Sequence, residues 1–192
     1  MRFVKNILAL IGSITIIVSV AVLMEAGRSM AGFDPWACAT YAHIAKLLLE
    51  AGDPIEAMVW KAEVKEGLGF DDVDEAIKSI ATTMNIKSVG ELPLGDQIST
   101  MEGKPWRKLK IYLYCNPLTA AHMIDYAEAF SAFLPCRVAL VEDKTGKLWI
   151  YTLNMDMMIY GGKPLPPALA DEALKVKHIM QAILQRGANG EF

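Results

Sequence analysis

The stretch from Leu109 to Leu153 constrains the fold more than any other part of the chain. It reads as strand, helix, strand, tight turn and strand, with a cysteine at each junction between helix and sheet. Leu109, Ile111, Leu113 and Cys115 alternate with Lys108, Lys110, Tyr112 and Tyr114. That is the period of two expected of a half-buried strand, with the leucine-bearing set as the expected core face. Asn116 then stands at a helix N-cap with Pro117 at the first helical position, where its fixed φ and missing N–H are harmless. Ala120, Met123, Ile124, Ala127 and Phe130 supply the apolar stripe of that helix. Leu134-Pro135 leads into a strand beginning Cys136, Val138, Leu140. Asp143-Lys144-Thr145-Gly146 turns the chain back into Lys147–Asn154, with glycine where a positive φ is needed.

The flanking segments extend this pattern. Met58–Lys65 alternates, with Trp60, Ala62 and Val64 on one side. Gly67 and Gly69 end it, and a helix follows with Asp72 and Glu75 at capping-box spacing and Val73, Ile77, Ile80 and Met84 on one face. Ile86–Leu92 reads as a short edge strand, and Leu94–Arg107 as a polar loop long enough to suggest mobility or a functional role. Leu165-Pro166-Pro167 opens a last helix to about Arg186, with Leu169, Ala173, Val176, Met180 and Ile183 along one side. The order β-α-β-β-α-β-β-α, with one apolar face per helix, predicts an α+β domain whose helices cover one face of a mixed sheet.

Before the domain lies a different kind of sequence. Hydrophobic residues make up 53% of the 192, and mean hydropathy is +0.27. Ile7–Met24 is uncharged and bracketed by Lys5 and Glu25; its helical length of about 27 Å approaches the thickness of a bilayer core. Arg2, Lys5 and the amino terminus precede it. The positive-inside rule then gives a single-pass bacterial inner-membrane protein, with the amino terminus cytoplasmic and the rest periplasmic. The small residues at Ser29-Met30-Ala31 leave a cleaved signal sequence as the alternative. Asp34-Pro35 begins a helix that runs to Ala51 before Gly52-Asp53-Pro54 and carries Trp36, Tyr41 and His43. The expected organisation is an anchor or signal over 1–27, a helical spacer over 28–54, the α+β domain over 55–186 and a tail over 187–192.

Net charge is −3, with no basic stripe after the anchor, so the phosphate-neutralising patch that nucleic-acid binding needs is missing. The three cysteines, Cys38, Cys115 and Cys136, are too few for a disulfide scaffold and occur in no Cys-x-x-Cys motif.

Several short motifs together resemble one family. They are Gly67 to Ile77, Cys115-Asn116-Pro117 with Ala120-Ala121, Leu134-Pro135-Cys136-Arg137-Val138, then Glu142-Asp143 and Gly146-Lys147. Over roughly Met58 to Leu184 the chain resembles the domain of unknown function 302 family. The resemblance implies a small α+β domain that self-associates, and it implies no established activity. A cysteine at position 115 resembles the membrane-anchored members from bacteria of sulfur-oxidising or related respiratory lifestyle.

Cys115, one residue before a helix N-cap, is the sharpest candidate for chemistry. The helix N-terminus would depress its pKa, giving a thiolate able to carry a sulfur adduct, with Arg137 or His122 holding an anion. The plainer reading is a small apolar side chain. A parallel crossover between the flanking strands would set Cys115 and Cys136 at opposite sheet ends, beyond the reach of a disulfide; antiparallel strands would reverse this. Met155, Met157 and Met158 with His122 suggest a copper or haem site, against their plainer reading as core fillers. The binding candidates are thus Cys115, Asn116, Cys136, Arg137 and His122, and no cofactor is predicted. Three functions remain open: an accessory or binding subunit of a respiratory or sulfur-metabolism membrane complex, a sulfur-carrying thiol protein, and a Met/His metal site.

Overall fold

The computed structural model describes residues 2–192, with side chains from Val4 onward. Met1 and the Arg2 side chain, part of the expected basic flank, lie outside the described residues. Helix α1 (Arg2–Met30) is continuous, and its Val4–Met30 portion is long and apolar enough to cross a membrane. Helix α2 (Ala37–Ala51) starts two residues later than Pro35 suggests, because the Asp34 carboxylate accepts from Trp36 N in a turn before it. It stops at Gly52, whose φ of 66° is the left-handed conformation glycine adopts freely at a helix end. The short α3 (Pro54–Ala57) leads into the sheet.

Five strands form that sheet: β1 (Val59–Glu63), β2 (Lys87–Leu92), β3 (Leu109–Cys115), β4 (Cys136–Glu142) and β5 (Leu148–Leu153). Their order is β1-β5-β4-β3-β2, and every neighbouring pair is antiparallel. The α+β class is as expected, but the sheet contains no parallel crossover. The reason lies between β3 and β4. Helix α6 (Pro117–Tyr126) ends at Ala127, whose backbone is extended, and a 3-10 segment (Glu128–Phe133) folds back against α6. The excursion therefore returns to the sheet end it left, and Tyr114 pairs with Cys136.

Helices α4 (Phe70–Thr83) and α8 (Pro167–Ala188) pack together over one sheet face. Val73, Ile77 and Ile80 of α4 and Ala173, Met180 and Ile183 of α8 are buried there against Val138, Leu140 and Ile150. Full burial of each large aliphatic side chain contributes roughly 1.5–3 kcal/mol. The cap of α4 sits three residues earlier than its sequence suggests, at Gly69 rather than Asp72: Gly69 N donates to Asp72 Oδ2 at 2.8 Å.

Strand β3 inverts the expected face. Tyr112 and Tyr114 are buried, with rings stacked 6.3 Å apart, while Leu109, Ile111 and Leu113 are half-buried on the other side. The tyrosine rings bring more apolar area to the core, and the polar ends of Tyr112 and Lys110 on this face find partners. The Tyr112 hydroxyl donates to Asp74, and the Lys110 ammonium reaches Asp74 at 2.8 Å and Glu91 at 2.7 Å. Burial opposes ionisation of Asp74, but hydrogen bonds from Lys110, Lys78 and Tyr112 outweigh it and hold its pKa down.

The expected loop after β2 is largely helical: α5 (Leu94–Glu102) packs against β3. Gly95 permits this close approach, since a Cβ there would stand 2.7 Å from Arg107 O and Leu109 N. Ser99 Oγ accepts from Trp106 N and closes the turn that follows. Helix α7 (Asp156–Tyr160) follows β5.

Candidate binding site

A cavity of about 530 Å³ lies where α2, the 3-10 segment, α7 and the end of β5 meet. Ile44, Met58, Phe130, Phe133, Met158 and Leu165 make its wall largely apolar. That size is within the range of small-molecule pockets. The segment that follows α1 is fastened to its rim by two hydrogen bonds. Asp34 N donates to Gly162 O at 2.7 Å, and the Tyr41 hydroxyl donates to Gly161 O at 2.7 Å. Both glycines line the cavity, and Asp34 is only four residues beyond the end of α1. Tyr126, Phe133 and Met157 are lining residues with substantial exposure, and Trp36 is exposed nearby in sequence at the start of α2.

One polar side chain stands out in this wall. Asn154 is 5% exposed, and its Oδ1 accepts from Asp156 N at 2.9 Å, which fixes the amide orientation. Its Nδ2 has no acceptor among the described residues. A buried donor without a partner costs roughly 1–3 kcal/mol, and because Nδ2 is itself shielded from the cavity space, an acceptor in the cavity reaches it only with a small shift of the wall.

Two smaller spaces adjoin this cavity and share Met158 with it. A second space of about 220 Å³ is lined by Cys136, Arg137, Met155, Met158 and Met180. Beyond it, a void of about 30 Å³ is lined by Cys115, Cys136, Met123, Met155 and Met158. The two cysteines are therefore neighbours at one sheet end, and the separation drawn from a parallel crossover does not hold. Both are free thiols. Desolvation pushes the pKa of Cys115 up rather than down, so its place before the N-cap does not make it a ready thiolate. Desolvation and the neighbouring Cys115 push Cys136 up to about 11.

The other sequence candidates fall in different places. Asn116 caps α6 as expected, its Oδ1 accepting from Leu118 N and Thr119 N. Arg137 is exposed at the edge of the 220 Å³ space. His122 stands apart from the sulfur cluster, with Nδ1 3.0 Å from Glu172 on α8. It does not join Met155, Met157 and Met158, and Met157 itself lines the outer cavity. Among the described residues no group of three His, Cys, Asp or Glu is placed to hold a metal ion. Asn154, Met123 and Phe130 as cavity residues, and Tyr41 as a tie to the rim, are additions from the fold. Only Asn154 carries a sequence signal, being an asparagine two residues before Asp156 at the start of a helix.

The family described as "Domain of unknown function DUF302" matches residues 60–187. Among solved structures, the chain is similar to an uncharacterized conserved DUF302 protein from Bacillus stearothermophilus. The two share 19% identity with a TM-score of 0.53, over 67% of this chain and 97% of that one. At that identity the likeness establishes the fold. None of the curated proteins matches the chain. The match spans the whole sheet-and-helix domain from Trp60 to Gly187, and the chain belongs to the DUF302 family.

Proposed function

We propose that this is a single-pass bacterial inner-membrane binding protein. Its amino terminus is cytoplasmic, and its DUF302 domain lies in the periplasm against the bilayer. The ligand is a small apolar molecule drawn from the membrane that carries a carbonyl-type oxygen. The observation that carries this reading is the unpartnered Nδ2 of buried Asn154 in the wall of the 530 Å³ cavity. Apolar walls favour a lipophilic body, and the single orphan donor favours one acceptor on it. The hydrogen bonds from Asp34 and Tyr41 support delivery from the membrane, since they hold the rim close to the end of α1. Exposed Trp36 suits a membrane interface.

In this role the domain serves as an accessory subunit, self-associated and attached to a respiratory or sulfur-metabolism membrane complex. Native mass spectrometry of the full chain released from lipid nanodiscs tests the ligand class. A medium-chain methyl ketone should bind, and the alkane of equal length should bind more weakly. Asn154→Leu should remove the difference. Equal binding of ketone and alkane by the unaltered protein would defeat the proposal.

A further inference from the structure

The innermost void is different in kind from the apolar chamber. It has room for about one atom, at roughly 30 Å³, and five sulfur side chains line it: Cys115, Cys136, Met123, Met155 and Met158. No histidine, aspartate or glutamate contributes to its wall. Hard divalent ions need oxygen ligands, and structural zinc sites take four imidazole, thiolate or carboxylate ligands. Two thiols with thioethers form a soft set, which suits monovalent copper.

We propose that Cys115 and Cys136, assisted by the thioethers around them, form a Cu(I) site. The antiparallel register brings the two cysteines to the same sheet end, with Cys136 opposite Tyr114 and Cys115 the last residue of β3, and both line the one void. Binding releases the two thiol protons to solvent and leaves a bis-thiolate Cu(I) centre with one net negative charge. The amino-terminal end of α6, capped by Asn116 immediately after Cys115, places a partial positive charge beside that centre. No electron transfer is involved, since the metal enters as Cu(I).

The test uses the full chain in detergent under anaerobic, reducing conditions, with Cys38→Ser to remove the exposed third thiol. Copper is offered as Cu(I) in competition with a chromophoric chelator. The Cys38→Ser protein should retain one copper per chain. Adding Cys115→Ser or Cys136→Ser should abolish retention, and Met158→Leu should weaken it. X-ray absorption of the loaded Cys38→Ser protein should show a shell of sulfur alone, a reading that does not depend on whether the further variants fold. The proposal is overturned by no copper uptake in the Cys38→Ser protein, by equal uptake after removal of all three thiols, or by nitrogen or oxygen ligands in the absorption spectrum.

Discussion

Replacing Asn154 with leucine should separate stability from binding. The two side chains are of similar length, and the position is 5% exposed. The substitution removes the hydrogen bond that Asp156 N donates to Oδ1 at the start of α7, worth about 1 kcal/mol. It also removes the orphan Nδ2, whose burial costs roughly 1–3 kcal/mol. The difference leaves the ligand-free variant as stable as the parent or more stable by up to about 2 kcal/mol. At roughly 2–4 °C per kcal/mol for a chain of this size, thermal unfolding in nanodiscs followed by circular dichroism resolves that change. The same variant loses the donor to a bound acceptor, so affinity for the methyl ketone should fall by about fivefold or more. A variant destabilised by more than about 1 kcal/mol would refute the reasoning, because Nδ2 must then have been satisfied all along.

Other features give expectations of their own. Asp143 is held down to about 2, first by the Thr145 hydroxyl and also by the backbone of Thr145 and Lys147 and the Trp149 indole. Its folded value lies below the ordinary 3.8, so its contribution is present above about pH 4 and is lost as pH falls towards 2; acid titration of Asp143→Ala should lack this component. Cys136 behaves oppositely. With its pKa raised from 9.0 to about 11, its contribution is complete below pH 9 and is lost as pH rises through 11, by about 3 kcal/mol for a two-unit shift. Alkaline denaturation of Cys136→Ala against the parent measures it. Gly95→Ala should destabilise by roughly 2 kcal/mol or more, because its Cβ meets two backbone atoms that cannot yield without moving β3; urea unfolding reads this directly. Tyr41→Phe should free α2 from Gly161, seen as faster amide exchange at the amino end of α2 with little change in the sheet.

The elements were legible where one local rule decided them. Asn116-Pro117, the Asp143–Gly146 turn and the α8 stripe from Leu169 to Ile183 are each specified by neighbours a few residues away. The face of β3 was not, because alternation gives two faces and cannot say which one is inside. Tyr112 and Lys110 went inward only because Asp74 and Glu91, distant in sequence, satisfy them. The direction of β4 depended on a break at Ala127 and a 3-10 return, where the Ala120–Phe130 stripe reads as one uninterrupted helix. That single difference brings Cys115 beside Cys136. The cavity was hidden for the same kind of reason: Ile44, Phe130, Asn154 and Leu165 come from four separate parts of the chain.

Photolabelling in lipid nanodiscs tests the central claim most directly. A medium-chain methyl ketone bearing a diazirine is offered to the full chain, and labelled residues are mapped by mass spectrometry. The account predicts labels on Phe130, Met158 and Leu165, competed by unlabelled ketone and lost in Asn154→Leu. Labels confined to α1, or cavity labels that Asn154→Leu leaves undiminished, would contradict it.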